Sequence, residues 1–97
     1  MEFLVHIEIR WPADGDPAEF ARISAAETVR AAELAEAGIL RRLWRIPGRR
    51  ANYGIWEAPD ATALDAALAS LPMFRWLDIE VQALAQHPRD PERPGGR

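Results

Sequence analysis

Apolar and polar residues alternate along the first segment of the chain, which is the pattern of a β-strand with one buried face. In residues 2–10 the apolar side chains fall at the odd positions Phe3, Val5, Ile7 and Ile9. A helix is expected next, because Asp16 and Pro17 are residue types favoured at the N-cap and at the first helical position. This helix is predicted to continue to about Ala37, and Gly38 suits the residue that ends it.

The remainder of the chain predicts three more strands and a second helix. Residues 40–46 and 51–57 are expected to form the two strands of a hairpin, because a proline–glycine pair between them favours a turn. The second helix is expected between Asp60, a capping residue, and Pro72, which stops it. Alternation then predicts a last strand at residues 77–84.

This order of elements, β-α-β-β-α-β, is that of the ferredoxin-like fold, an α+β class with two helices on one face of a four-stranded antiparallel sheet. We assign residues 1–86 to this domain and the proline- and glycine-rich residues 87–97 to a C-terminal tail. The other face of the sheet is expected to carry Leu4, His6, Leu43 and Trp56. Because such a face is too apolar for water, a second copy is expected to cover it, as in a dimeric α+β barrel.

Residue types that the chain lacks narrow its chemistry. It has 97 residues, enough for one domain, with no cysteine and no lysine, so its 12 basic residues are all arginine. Disulfides, thiolate metal sites and lysine Schiff bases are therefore excluded. The two histidines, His6 and His87, are too few for a histidine-rich metal site, and no GxSxG or phosphate-binding glycine motif is present. If the protein is an enzyme, its proton transfers are expected to use a carboxylate.

Charge and the length of apolar runs disfavour two classes of partner. The formal net charge is −3, and the aromatic pattern of RNA-binding four-stranded sheets is absent, so nucleic acid is not an expected ligand. No segment approaches the roughly 20 apolar residues of a membrane span, and the N-terminus does not resemble a signal peptide. We therefore expect a soluble cytoplasmic protein.

Glu27 is the leading candidate for a functional carboxylate. It falls in the apolar row of the first predicted helix, which contains Phe20, Ile23, Ala31 and Leu34. A carboxylate that faces a core is costly unless it is paired or protonated, and such groups concentrate at functional sites. The alternative is that Glu27 leans to the edge of the row and pairs with an arginine such as Arg30.

Strand alternation suggests neighbours for Glu27. If the hairpin strands turn their more apolar sides to the helices, Arg42 and Trp44 come from one strand, and Tyr53 and Ile55 come from the other. A pocket lined by these residues would lie between the first helix and the sheet. The alternatives are that Trp44 and Tyr53 are ordinary core residues and that Arg42 lies along the sheet with its guanidinium at the rim.

A shift of one residue in this register would bring Arg45 and Asn52 into the pocket instead. Both belong to a region rich in arginine, which contains Arg41, Arg42, Arg45, Arg49 and Arg50. Most of these side chains are expected to form a solvated rim, in part paired with acidic residues. One or two that point inward would bind a small carboxylate through paired hydrogen bonds.

Several separated motifs resemble one family. Leu43-Trp44-Arg45, then Gly48 and then Ala51-Asn52-Tyr53 resemble the central signature of the muconolactone Δ-isomerases. The C-terminal half is similar to the same family in Leu71-Pro72-Met73-Phe74, Ile79-Glu80-Val81 and His87-Pro88. The similarity covers roughly residues 1–88.

This resemblance implies a ferredoxin-like fold, a large homo-oligomer, typically a decamer, and no cofactor. It also implies conversion of muconolactone, a small anionic lactone, into 3-oxoadipate enol-lactone in the β-ketoadipate pathway of aromatic degradation. Glu27 would then carry a proton between two ring carbons. Tyr53, Arg42 or Asn52 would donate to the dienolate oxygen, Trp44 would line the pocket, and an arginine would hold the free carboxylate of the substrate.

The chain also departs from the family at two positions. Many relatives have histidine where this chain has Arg42, and they often have an aromatic residue where it has Arg50. These changes keep a proton shift plausible but leave two alternatives open. One is a related isomerase, dehalogenase or cyclase acting on another small lactone or cyclic enone, and the other is a non-catalytic oligomeric binding module.

Overall fold

The computed structural model describes residues 1–92 and contains the predicted order of strands and helices. The elements are β1 (Glu2–Ile9), α1 (Pro17–Glu36), β2 (Leu40–Arg45), β3 (Ala51–Glu57), α2 (Ala61–Ala69), a short 3₁₀ helix (Phe74–Trp76) and β4 (Leu77–Leu84). The strands form one antiparallel sheet in the order β2-β3-β1-β4. The predicted α+β, ferredoxin-like class is confirmed.

Both helices begin at the predicted capping residues. The Asp16 carboxylate accepts a hydrogen bond from the backbone N–H of Ala18 at 3.0 Å, and the Asp60 carboxylate accepts one from Ala63 at 2.8 Å. After α1, Gly38 has a φ of 79°, a left-handed conformation that a glycine adopts without strain. Within residues 1–92, no helix has both the length and the apolar character needed to cross a bilayer.

The segment after β4 contains the boundary predicted between domain and tail. Residues 87–92 include turns but no helix or strand. The remainder of the predicted tail, residues 93–97, lies outside the described residues. The division into a domain at 1–86 and a tail at 87–97 therefore stays a prediction.

The core lies between the helices and the sheet. Its centre comes from β1, because Phe3, Val5 and Ile7 are at most 6% exposed. They pack with buried side chains of the other elements, namely Leu34, Trp56, Ala58, Leu64, Leu68 and Leu71. Burying one large apolar side chain contributes about 1.5–3 kcal/mol, so this cluster fixes which face of β1 meets the helices.

Pairing with β1 then sets the orientation of β3. Val5 lies opposite Gly54, and Ile7 lies opposite Asn52. Directly opposed residues of an antiparallel pair place their side chains on the same face of the sheet. The even-numbered residues of β3 therefore face the helices, and the odd-numbered ones face the other way.

A β-bulge changes the alternation within β2. Leu40 lies opposite Trp56, whereas Arg42 lies opposite Ile55, so β2 advances two residues while β3 advances one. An extra residue reverses the side-chain parity of the rest of the strand. After the bulge, the odd-numbered residues of β2 face the helices.

The predicted placement of Arg42, Trp44, Tyr53 and Ile55 beside Glu27 is therefore wrong. All four side chains lie on the face of the sheet that points away from the helices. Apolar content gave the wrong parity because large apolar side chains are abundant on this face too. Trp44 and Tyr53, for example, are each 45% exposed.

We call this surface the outer sheet face, and it comprises Leu4, His6, Arg42, Trp44, Tyr53, Ile55, Glu80 and Gln82. The prediction that Leu4 and His6 lie on it is confirmed. The same prediction for Leu43 and Trp56 is wrong, because the bulge and the pairing with β1 turn both toward the helices. The outer sheet face thus combines exposed aromatic rings with charged groups at its edges.

Candidate active site

Glu27 lies in the row of α1 that faces the interior, where Ile23 and Leu34 are buried. The Glu27 side chain is half-buried, and its Oε1 accepts a hydrogen bond from the backbone N–H of Met73 at 3.0 Å. Met73 is 2% exposed and belongs to the connection between α2 and the 3₁₀ helix. This contact holds the carboxylate against a buried part of the chain.

The alternative in which Glu27 pairs with Arg30 is not what the structure shows. The Nη1 of Arg30 lies 3.2 Å from Glu33 Oε1, and its Nε donates to Ser70 Oγ at 3.0 Å. These contacts engage the Arg30 guanidinium. No other cationic side chain among residues 1–92 forms an ion pair with Glu27.

Two influences act in opposite directions on the pKa of Glu27. Burial is the larger and raises the pKa, whereas the hydrogen bond from the Met73 N–H lowers it, and the net result is a pKa above the ordinary value of 4.5. A carboxylate with a raised pKa holds a proton more strongly once it has taken one. It is therefore a better base for the weakly acidic C–H groups next to a conjugated carbonyl.

A cavity of about 370 Å³ opens between the start of α1 and the β2–β3 hairpin. It is lined by Ile9, Phe20, Leu43, Arg45, Arg50, Ala51 and Asn52. This volume is typical of small-molecule sites. Of the predicted substrate-binding residues, Asn52 lines the cavity, and so does Arg45, which the alternative register brings to this side of the sheet.

Two arginines of the cavity have no acidic partner in the described part of the chain, residues 1–92. Arg45 and Arg50 are both exposed, and the Arg50 guanidinium lies 4.8 Å from the centroid of the Phe20 ring. The neighbouring Arg49 differs, because it forms an ion pair with Glu8. Unpaired guanidinium groups favour an anionic ligand, since each can hold a carboxylate through two parallel hydrogen bonds.

Two buried polar atoms on the helix-facing side of β3 have no hydrogen-bond partner among residues 1–92. They are Asn52 Oδ1 and Trp56 Nε1, and Gly54 lies between them on the same face of the strand. Most buried polar groups in proteins are paired, so each exception calls for an explanation. Asn52 also lines the cavity, where its amide Nδ2 can donate to a ligand, whereas its buried Oδ1 can only accept.

Glu27 is not among the residues that line the cavity, and it lies two helical turns beyond Phe20, which is. Seven helical residues rise about 10.5 Å, a distance that about three strand residues also cover. The helix runs in the same direction as β3. Phe20, near the start of α1, contacts Arg50 just before that strand, and Ile39, three residues after α1, accepts a hydrogen bond from the backbone N–H of Glu57 at the end of the strand. Glu27 is therefore expected near the level of Gly54 along the direction of β3, beyond the residues that line the cavity.

Sequence reasoning did not single out Phe20 or Leu43 as members of the site, and it named Arg50 only within the arginine-rich region and as a departure from the family. A signal for this face was present in Gly54, because a glycine inside a strand often marks a place where another group approaches closely. Combined with the strict alternation of β1, it would have assigned the even-numbered side chains of β3 to the helix side. The bulge in β2 left no comparable signal.

Comparisons with known proteins give a consistent result. The family model described as muconolactone delta-isomerase matches residues 1–90 of this chain. The muconolactone Delta-isomerase of Pseudomonas aeruginosa is 40% identical over 88 residues, covering 91% of this chain and 92% of the relative. The Pseudomonas putida enzyme of the same name is 39% identical with the same coverage. A crystal structure of muconolactone isomerase superimposes with a TM-score of 0.90 at 38% identity, covering 97% of this chain and 98% of that one.

The raised pKa of Glu27 makes a prediction about stability and pH. The folded protein favours the protonated carboxyl, so the stability that Glu27 contributes is present below the ordinary pKa of 4.5 and is lost as the pH rises through the raised folded value. Relative to Glu27→Gln, the unchanged protein should therefore gain free energy of unfolding as the pH falls from 7.5 to 4. Urea unfolding at fixed protein concentration measures the difference.

Glu36→Gln is the matched control, because Glu36 is an exposed carboxylate of α1 that forms no ion pair among residues 1–92. It should show a smaller change across the same pH interval. A Glu27→Gln difference that is independent of pH would contradict a raised pKa.

Proposed function

This chain belongs to the muconolactone delta-isomerase family, and from that premise we propose that it converts muconolactone into 3-oxoadipate enol-lactone. The reaction would take place in the cytoplasm as a step of the β-ketoadipate pathway of aromatic catabolism. The observation that carries the proposal is the half-buried carboxylate of Glu27, whose pKa is raised and whose oxygen is oriented by a backbone N–H. The family names of the relatives supply the substrate.

The chemistry requires one proton to leave a ring carbon and one to arrive two carbons away. The Glu27 carboxylate takes the proton from the ring carbon that carries the acetate side chain. The electron pair of that C–H bond moves through the ring double bond onto the lactone carbonyl oxygen and forms a dienolate. The protonated Glu27 then returns a proton to the carbon next to the carbonyl, which moves the double bond without any net gain or loss of atoms.

Placement on one helix suits Glu27 for both halves of the shift. A single base above one face of the ring reaches both carbons, because these are separated by one intervening ring atom. A positioned base or acid of this kind contributes about 10²–10⁴-fold to the rate. Because Oε1 accepts the hydrogen bond from Met73, we propose that Oε2 is the atom that takes the proton.

The charged wall of the cavity suits the free carboxylate of the substrate. Arg45 and Arg50 have no acidic partner among the described residues, and both line the cavity. We propose that Arg45 binds the substrate carboxylate and that the amide of Asn52 contacts the lactone. The binding roles predicted for Arg42, Trp44 and Tyr53 are not proposed for this cavity, because those side chains lie on the outer sheet face.

We further infer that a second copy of the chain covers the outer sheet face. Support comes from Trp44 and Tyr53, which are each 45% exposed on a surface shared with Leu4 and Ile55. Exposed apolar surface of this kind is typical of protein interfaces. The protein would then be a homo-oligomer built from dimers, with a decamer as the size that the family resemblance implies.

Replacement of the base tests the proposed reaction directly. Glu27→Gln should lower kcat for muconolactone by about 10²–10⁴-fold, because an amide cannot take the proton. The change in ultraviolet absorbance on conversion to the enol-lactone measures the rate. Glu36→Gln, which changes an exposed carboxylate on the same helix, should leave kcat unchanged.

The outcomes separate the alternatives. Full activity of Glu27→Gln would refute the assignment of Glu27 as the base. If the unchanged protein is inactive on muconolactone but isomerises another small lactone, it is a related enzyme. If it binds such lactones without converting any of them, it is a binding module.

The role of Arg45 predicts an effect on substrate binding. Arg45→Gln should raise KM for muconolactone by roughly 10- to 100-fold, because a hydrogen bond to a charged group contributes about 1.5–3 kcal/mol, and kcat should change less. The neutral methyl ester of muconolactone should show no such difference between the two proteins. Arg41→Gln, which changes an arginine at the bulge, is the control and should leave KM unchanged. If Arg45→Gln raised KM equally for muconolactone and for its methyl ester, a contact between Arg45 and the substrate carboxylate would be excluded.

Covering of the outer sheet face predicts a change in assembly. Tyr53→Glu should reduce the mass measured by sedimentation equilibrium, because it places a charge in the centre of the proposed interface. Thr62→Glu, in the exposed first turn of α2, introduces the same charge elsewhere and should leave the mass unchanged. A protein that is monomeric before any substitution would contradict the inference.

A further inference from the structure

We propose that a second cavity, beside the connection between β1 and α1, binds a small aromatic carboxylate. Its volume is about 330 Å³, and its lining includes Trp11, Pro12, Pro17, Phe20 and Arg50. This volume lies within the range of small-molecule sites. The proposed isomerisation gives this cavity no role, so the inference goes beyond the proposed function and can be tested by binding alone.

The connection between β1 and α1 is held in shape by short-range contacts. The backbone N–H of Gly15 donates to the carbonyl oxygen of Pro12 at 3.0 Å, which closes a turn, and Pro17 then begins the helix. A Cβ at position 15 would collide with Nε1 of Trp11, so a glycine is needed for the turn to pack against the indole. The turn thus fixes the ring of Trp11 as one wall of the cavity.

Two aromatic rings form a corner of this second cavity. The ring centroids of Trp11 and Phe20 are 5.1 Å apart, and the ring planes are inclined by 66°. Trp11 also contacts Trp76, with 4.7 Å between the ring centroids, which further fixes its position. Because aromatic rings favour offset-stacked and edge-to-face arrangements, a third ring that stacks on one wall meets the other wall at its edge. The corner therefore favours a flat aromatic ligand over a saturated one.

Arg50 supplies a positive charge beside these rings. Its guanidinium carbon lies 4.8 Å from the centroid of the Phe20 ring. A guanidinium that stacks on an aromatic ring keeps its N–H donors in its own plane, where two of them can hold a carboxylate. Arg50 therefore combines contact with an aromatic wall and the capacity to bind an anion.

No acidic side chain among residues 1–92 forms an ion pair with Arg50. Glu8, on the neighbouring strand, forms ion pairs with Arg10 and Arg49. The carboxylate of Asp16, which lies in the connection, accepts the capping hydrogen bond of α1. No acidic residue of the described chain belongs to the lining of the second cavity. An external carboxylate is thus the anion suited to this guanidinium.

The second cavity adjoins the proposed substrate cavity, and the two share Phe20 and Arg50. Their other lining residues differ. Leu43 and Arg45 line only the substrate cavity, whereas Trp11 lines only the second one. Variants at these positions can therefore report which of the two cavities a ligand occupies.

Benzoate, which has one ring and one carboxylate, is the probe, and isothermal titration calorimetry measures its binding to the full chain as it assembles in solution. It should bind saturably at one site per chain. Arg50→Gln should raise the Kd by about 10- to 100-fold, because it removes hydrogen bonds between charged groups. Arg75→Gln is the matched control, because the Arg75 guanidinium also lies over a ring, 4.9 Å from the centroid of Trp76, but does not line the cavity. It should leave the Kd unchanged.

A second set of measurements locates the bound benzoate. Arg45→Gln should change its Kd by less than about twofold, whereas Trp11→Leu should raise it roughly three- to tenfold by removing an aromatic wall. Circular dichroism checks that each variant keeps its fold. In the unchanged protein, nuclear Overhauser effects should connect the benzoate ring protons with the indole protons of Trp11. Effects to the methyl groups of Leu43 in their place, or loss of binding in Arg45→Gln, would put benzoate in the substrate cavity and refute the proposal.

Two further ligands test the chemical class. Cyclohexanecarboxylate has the same charge and a similar size but no aromatic face, so it should bind roughly three- to tenfold more weakly than benzoate. Benzamide keeps the ring without the charge and should bind at least about tenfold more weakly. Equal Kd values for benzoate and cyclohexanecarboxylate would refute an aromatic site, and equal values for benzoate and benzamide would refute the role of Arg50.

These results are independent of the proposed function, because none of the measurements uses muconolactone. If the unchanged protein does not bind benzoate saturably, the second site is refuted and the proposed reaction stands. If the protein does not convert muconolactone, the proposed reaction fails, whereas benzoate binding that depends on Arg50 and Trp11 still supports the second site.

Discussion

One hydrogen bond, from the backbone N–H of Met73 to Glu27 Oε1, sets the properties of the candidate site. It orients the carboxylate, and it offsets part of the cost of burying it, yet it is not strong enough to cancel the rise in pKa that burial causes. A guanidinium at the same place would have lowered the pKa. Arg30, the nearest cationic side chain along α1, is instead engaged by Glu33 and Ser70. The carboxylate is therefore both positioned and basic.

The sheet determines what this carboxylate faces. Pairing between β1 and β3 turns Asn52, Gly54 and Trp56 toward the helices, and the bulge in β2 turns Arg45 the same way. These residues bring a cation and two unpaired polar atoms to one side of the sheet. Trp44 and Tyr53 are left on the other side, where a second copy would cover them. One extra residue in β2 thus separates the groups suited to binding an anion from those suited to assembly.

Much of this arrangement could be predicted from the sequence. The order of the elements, the caps at Asp16 and Asp60, and the interior position of Glu27 all follow from patterns that act locally. The parity of the hairpin could not be predicted in the same way, because both faces of the sheet carry large apolar residues. Trp44 and Tyr53 look like core residues until β3 is paired with β1. A bulge adds a residue without disturbing the alternation on either side of it, so it leaves no mark in the sequence pattern.

The central claim is that Glu27 is a partly desolvated base, and the most direct measurement is its own titration. The ¹³C chemical shift of the Glu27 side-chain carboxyl, assigned by its absence from Glu27→Gln, can be followed across the pH range in which the fold is intact. The account predicts a midpoint above the ordinary glutamate value of 4.5. A midpoint at or below that value would show a solvated or ion-paired carboxylate and would contradict the account.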